Sequence, residues 1–259
     1  MATVLAFANQ KGGTGKTTTA VNVAAYAANY NKSVLLVDMD PQGNATSGLG
    51  VAKQGLKGSV YDVLMGSAGL MGAVSKTKVA GLDIRPSNMS LVGAELELVN
   101  EMAREQRLKD GLQKARDLYD YIFIDCPPSL GLLTVNSFAA SDGIVVPMQC
   151  EYYAMEGLSS LLNTIEQIRS TVNPQLQLEG LLRTMFDPRS NLSNDVSGQL
   201  ILHFGNKVYR TSIPRNIRLA EAPSFGQSAL AHDRASRGAV AYLALAGEIL
   251  RREEQPAAG

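Results

Sequence analysis

Ala6-Phe7-Ala8-Asn9-Gln10-Lys11-Gly12-Gly13-Thr14-Gly15-Lys16-Thr17-Thr18 runs from an apolar strand through a glycine turn into a helix. Three glycines within four residues permit positive φ and let successive backbone N–H groups approach an anion with no Cβ in the way. Such a turn is a phosphate cradle. Lys16 is placed to reach β- and γ-phosphates and the Thr17 hydroxyl to ligate Mg²⁺, while the helix that opens here adds its N-terminal dipole. Gly12, Gly13, Thr14, Gly15 and Thr18 belong to the same cradle. Gln10 stands where the general G-x-x-x-x-G-K-[ST] pattern has its first glycine, but the stricter run Gly-Gly-x-Gly-Lys-Thr is intact. The expected ligand is a nucleoside triphosphate.

Outward from this turn, buried strands are read at Val4–Ala8, Ser33–Asp38, Tyr121–Asp125, Gly143–Pro147 and Gln177–Met185, with lesser ones at Leu82–Arg85 and Lys207–Ser212. Helices follow the glycine turn, span Leu91 to Leu118 in one or two pieces, carry the stripe Met155, Leu158, Leu161, Leu162, Ile165 and Ile168, and close the chain over Ala235–Arg252. Residues 45–80 read as short helices and loops on one rim. This alternation predicts an α/β fold, a doubly wound and mainly parallel sheet with helices on both faces. One P-loop domain over residues 1–252 is expected, followed by a disordered tail at 253–259. The site should lie at the carboxyl ends of the strands, where the glycine turn, Asp38, Asp40 and Asp125 all fall.

The chain has 259 residues, 45% of them hydrophobic, with 24 Lys or Arg against 24 Asp or Glu. With no net field, any attraction to nucleic acid or lipid must come from a local patch. No run approaches a membrane span and no signal-peptide pattern opens the sequence, so a cytoplasmic protein is expected. Cys126, Cys150, His203 and His232 are too few and scattered for a zinc site or a disulfide framework, and the cysteines read as buried free thiols.

Asp125, at the end of an apolar strand, suits a carboxylate that holds Mg²⁺ or one of its waters. Asp40 is expected to position the attacking water, and Asp38 to play a supporting or switch role on the metal side of the site. In-line phosphoryl transfer needs mainly positioning and charge neutralisation, which this set can supply.

Lys11-Gly-Gly-Thr-Gly-Lys16-Thr-Thr, Asp38-Met-Asp-Pro-Gln-Gly-Asn44 and Ile124-Asp-Cys-Pro-Pro-Ser129 resemble the deviant Walker-A ATPases of the ParA/MinD group. Tyr152–Gly157, Phe186–Leu192 and Ile213–Ser224 are similar to the chromosomal ParA (Soj) branch, so the resemblance covers nearly the whole chain. It implies a P-loop fold, a weak Mg²⁺-dependent ATPase, and an ATP-bound sandwich homodimer that binds double-stranded DNA without sequence preference. A ParB-type partner would stimulate hydrolysis, and the protein would associate with the nucleoid. The resemblance also implies that Lys11 reaches the partner subunit's phosphates and that Met185, Pro214 and Asn216 border the adenine. No Asn-Lys-x-Asp guanine motif follows a strand, which favours ATP over GTP.

Two neighbouring readings differ. A MinD-type protein would act at the membrane through a basic amphipathic C-terminal helix, whereas this sequence ends Glu253-Glu-Gln-Pro-Ala-Ala-Gly259. A redox relative would hold an iron–sulfur cluster with two cysteines, but Cys126 precedes a proline pair. The sequence starts directly on a strand, so no preceding helix-turn-helix domain is expected. Between Arg183 and Arg237, eight Lys or Arg stand against four acids, a local charge of +4. Arg189, Arg215 and Arg218 are the candidates for DNA phosphates.

Overall fold

The computed structural model describes residues 1–254, built on a central strand β1 (Thr3–Phe7). That strand is apolar on both faces: Val4 and Ala6 enter one core, Leu5 and Phe7 the other. Side chains alternate along a strand, so a run without polar interruption is satisfied only where helices cover both faces. The same argument makes strands of β2 (Val34–Asp38) and β5 (Tyr121–Asp125), both buried throughout; β4 (Leu82–Arg85) is buried as well, with Leu82 and Ile84 in one core and Arg85 on the opposite face donating to Leu70 O at 2.9 Å and Ser59 O at 2.6 Å. The sheet is completed by β3 (Ser75–Lys76), β6 (Gly143–Gln149), β7 (Gln177–Phe186) and β8 (Val208–Pro214). Their order is β3-β4-β2-β5-β1-β6-β7-β8, and only β3 runs antiparallel to its neighbour.

The helices, in chain order, are α1 (Lys16–Asn29), α2 (Asn44–Gly48), α3 (Val60–Leu64), α4 (Leu91–Glu97), α5 (Arg107–Leu112), α6 (Leu132–Ala140), α7 (Ala154–Thr171), α8 (Asn191–Phe204), α9 (Ile217–Glu221), α10 (Ala229–His232) and α11 (Arg237–Glu254). Residues of α3 to α8 pack with Val4, Ala6, Val37 and Ile124, whereas α1, α2 and α9 to α11 pack with Leu5, Phe7, Leu36 and Phe123. The doubly wound, mainly parallel architecture is therefore as read from the sequence. From β1 the chain crosses to β2 on one side, and after β5 fills the gap it continues through β6 on the other. The carboxyl ends of β1, β2 and β5 thus meet where the winding reverses, the place where such sheets form their crevice.

Helices α6 and α8, and with them the short α9 and α10, are absent from the sequence reading. The first is short and almost wholly buried, so it lacks the polar face that distinguishes a helix from a core strand. The second buries only Val196, Ser197 and Leu200 in 14 residues, and its start is set by a local bond, the Ser190 hydroxyl accepting from Ser193 N at 3.3 Å. The stretch Leu91–Leu118 breaks into α4, α5 and two 3-10 turns. Strand β8 ends on Pro214, tolerated because β8 is the edge strand. Helix α11 continues to Glu254, two residues into the expected tail; the rest of that tail, 255–259, lies outside the described residues.

Candidate functional site: a phosphate cradle at the strand ends

The turn between β1 and α1 takes its form from two of its glycines. Gly13 and Gly15 hold φ of 73° and 85°, a region in which a Cβ is strained. A Cβ on Gly12 or Gly13 would meet nothing within 4 Å, so this face of the turn is bare backbone. Gly15 is the N-cap of α1 and provides no side-chain cap, which leaves the first N–H groups of the helix for an anion.

Neighbouring strand ends hold the turn in place. The Thr184 hydroxyl donates to Thr14 O at 2.8 Å, Gln149 Nε2 to Gly13 O at 3.1 Å, and Asn9 Nδ2 to Pro147 O at 2.8 Å. Lys16 is buried, and its ammonium donates to Lys11 O at 3.0 Å. Burial lowers the Lys16 pKa, and the charges of Asp125, Cys126 and Asp40 oppose that shift.

Asp38 and Asp125 end adjacent strands in register, both wholly buried. Asp38 is saturated: it accepts from Thr46 N at 2.8 Å, the Thr46 hydroxyl at 2.7 Å and Asp40 N at 3.2 Å. Burial outweighs these bonds and lifts its pKa to about 6. Asp125 is the opposite case. Neither of its oxygens has a hydrogen-bond partner of good geometry among the described residues, although the Thr17 hydroxyl approaches it and favours its charge. Burial, then the Asp38 charge, hold its pKa well above the ordinary 3.8. Two orphaned carboxylate oxygens beside a threonine hydroxyl and a phosphate cradle fit a Mg²⁺ ion, which binds through one or two carboxylates plus phosphates and water. No group of three or more His, Cys, Asp or Glu among the described residues forms a metal cage.

This geometry makes a pH-dependent prediction. An acid whose folded pKa is raised keeps its proton in the folded state after the unfolded chain has lost it, so stability falls as pH rises from about 4. Asp125→Asn should therefore stabilise the metal-free protein more at pH 7 than at pH 4, each ~1 kcal/mol of relief raising Tm by about 2–4 °C. Thermal melts at the two pH values without divalent ions measure it, and an equal effect at both would refute it.

Asp40 is nearly buried, and its Oδ1 accepts from Gln42 N at 2.9 Å. Lys11 is exposed and forms an ion pair with Glu151. Such exposed pairs are worth under about 1 kcal/mol, so Lys11 can exchange it for another anion. Met185 has φ of 50°, uncommon for a residue with a side chain, and its sulfur contacts Gln149 Nε2 at 2.9 Å. Asn216 caps α9 by accepting from Arg218 N at 2.9 Å, which leaves its amide nitrogen to donate. Pro214 pairs in register with Phe186, one residue after Met185. Cys126 and Cys150 are buried free thiols, as expected, with pKa values pushed up to about 12 and about 11 by burial.

Arg189, Arg215 and Arg218 lie beyond the carboxyl ends of β7 and β8. Arg189 is paired with Asp187 at 2.9 Å, and Arg218 with Glu221 at 2.9 Å and Asp233 at 3.5 Å. Arg215 is exposed. A broad cleft between α8, β8 and α11, at the amino ends of β7 and β8, is lined by none of the expected site residues. Thr46, Gln149, Glu151 and Thr184 are functional neighbours that the motifs do not point to. The available signal is positional: Gln149, Glu151 and Thr184 sit at or just beyond the carboxyl ends of β6 and β7, the edge that lines the crevice.

A family described as an AAA domain matches residues 2–178. The sporulation initiation inhibitor protein Soj of Bacillus subtilis is 52% identical over 249 residues, covering 96% of this chain and 98% of its own. The chromosome partitioning protein ParA of Caulobacter vibrioides is 48% identical over 252 residues, covering 96% and 94%. Among solved structures, cobyrinic acid a,c-diamide synthase of Mycobacterium smegmatis, with bound ATP analogue and magnesium, is similar with a TM-score of 0.86 and 37% identity, covering 98% of this chain and 96% of that one.

Proposed function

We propose a function from one premise: this chain belongs to the ParA/MinD family of deviant Walker-A ATPases, in its chromosome-partitioning ParA/Soj branch. On this reading it is a slow ATPase that forms an ATP-bound sandwich homodimer and binds double-stranded DNA without sequence preference. A ParB-type partner accelerates its hydrolysis, and the protein works in the cytoplasm on the nucleoid. The observation that carries the reading is buried Lys16 set within a bare-backbone turn, close to an Asp125 whose oxygens have no well-formed hydrogen bond among the described residues. The Soj and ParA relatives, the second of them named for chromosome partition, are more similar in sequence to this chain than the structurally similar synthase.

In this site the N–H groups of residues 12–18 and the Lys16 ammonium bind the β- and γ-phosphates. Thr17 and Asp125 hold Mg²⁺, which when bound neutralises charge on those phosphates. Asp40 orients the attacking water. Asp38 supports it from behind, because the bonds from Asp38 to Asp40 N and to Thr46 set the course of the loop between them. Met185, Pro214 and Asn216 border the base, with the Asn216 amide as the available donor. Lys11 leaves Glu151 for the partner subunit's phosphates. No helix among the described residues is long and apolar enough to cross a membrane.

The test is DNA binding as a function of nucleotide and salt. If Arg189, Arg215 and Arg218 each neutralise one phosphate, a dimer has Z of about 6 and a salt slope of roughly −5.4, against about −2.7 for a monomer. Between about 50 and 200 mM salt the dimer should lose roughly 10³ in affinity and the monomer about 40-fold. Random-sequence duplex should therefore bind steeply with a non-hydrolysed ATP state and weakly with ADP, and Arg215→Glu should flatten the slope. Binding indifferent to nucleotide would remove the DNA part of the reading.

A further inference from the structure

A phosphate turn works only when its peptide units face the right way, and two side chains from outside the glycine motif orient two of them. In a trans peptide the C=O of one residue and the N–H of the next point in opposite directions. Gln149 Nε2 donates to Gly13 O, and the Thr184 hydroxyl donates to Thr14 O. These bonds therefore aim the N–H groups of Thr14 and Gly15 away from the ends of β6 and β7. Neither N–H makes a well-formed hydrogen bond among the described residues, so both are left for an anion.

The two donors are neighbours in the sheet: Gln149 and Thr184 stand opposite each other in the β6–β7 register. A third carbonyl of the turn, Lys11 O, accepts from the Lys16 ammonium, which the phosphates claim once nucleotide binds. Gln149 and Thr184 are then the side chains that keep the turn in shape. Gln149 has a further contact, its Nε2 lying 2.9 Å from Met185 Sδ. Gly13 O and the Met185 sulfur are both acceptors, so the amide nitrogen has to face them. Met185 follows Thr184 directly, holds φ of 50°, and precedes the Phe186–Pro214 pairing that borders the proposed base site. Such a backbone outlier persists where its surroundings fix it, and here it sits between the base edge and the phosphate turn.

We propose that Gln149 and Thr184 are positioning residues of the phosphate turn, and that Gln149 ties the turn to an occupied base site through Met185. The proposal rests on the ATPase reading and deepens it. A ring laid against Met185 restricts that side chain, keeps its sulfur on Gln149, and so keeps Gly13 O turned outward; the ordering is made before the phosphates arrive and is not charged to their binding. Thr184 bonds only to the turn, so its contribution is the same with or without a base. The site thereby favours a nucleoside triphosphate over an inorganic one by more than the direct contacts of the base.

The experiment titrates the full chain, as monomer and with Mg²⁺, with ATP and separately with inorganic triphosphate. Thr184→Val, which removes the hydroxyl at nearly constant volume, should weaken both ligands by one common factor of about 3 to 10, the net effect of a single hydrogen bond. Thr184→Ser should restore both, a rescue that a packing defect would not show. Gln149→Leu should weaken triphosphate by a similar factor and ATP about threefold more, so that the ratio of the two affinities falls. Met185→Leu should lower ATP affinity alone, and its effect should shrink when combined with Gln149→Leu, because the two residues act through one contact. Unchanged binding in Thr184→Val, absence of rescue by serine, or an unchanged affinity ratio in Gln149→Leu would each overturn the inference while leaving the ATPase reading intact. A folded wild type that binds neither ligand would overturn that reading and the inference together.

Discussion

Asp40→Ala is expected to retain ATP and lose about 10²–10⁴-fold in hydrolysis, the usual worth of a positioned acid–base group. The loss falls on turnover because the proposed phosphate contacts come from the glycine turn and Lys16, none of which Asp40 holds. Its backbone N–H is fixed by Asp38, and among the described residues its carboxylate accepts from Gln42 N alone, so the alanine variant keeps the loop bond that matters most for position. Slow hydrolysis with intact binding should accumulate the ATP dimer. Light scattering with ATP, together with single-turnover hydrolysis, reads both quantities. Normal hydrolysis, or a monomer that holds ATP, would take the water-positioning role away from Asp40.

Lys16→Ala should weaken ATP binding by about 1.5–3 kcal/mol, roughly 10- to 150-fold, because charge-assisted bonds in a partly desolvated site exceed neutral ones. Hydrolysis should disappear with it. Lys11→Ala is the informative control. Its ammonium is exposed and, among the described residues, paired with Glu151 alone, so a monomer's ATP affinity should change little while dimerisation and partner-stimulated hydrolysis are lost. Calorimetric titration of both variants, at concentrations where the wild type is monomeric, separates the two lysines. Equal losses of affinity would show that both act within one subunit.

The reach of the sequence differs from element to element, and the reason is locality. The glycine turn, the apolar runs ending in Asp38 and Asp125, and the stripe Leu158, Leu161, Ile165 and Ile168 are each read from a few consecutive residues, because backbone freedom, pleat and helical period are local properties. Those were enough for the parallel sheet, the phosphate cradle and the family. Helices α6 and α8 were not legible, since one has no polar face and the other hardly any core face. Only the folded chain decided that Asp38 is spent on Thr46 and Asp40 while neither oxygen of Asp125 has a well-formed hydrogen bond among the described residues, although both end apolar strands in the same way. The difference arises from residues 8 positions away in one case and on separate strands in the other. Tertiary packing likewise set Glu151 against Lys11, Thr184 against Thr14, and one apolar face of α4 outward. A one-dimensional pattern records that a side chain is apolar or charged; which neighbour satisfies it depends on contacts between strands and helices far apart in the chain.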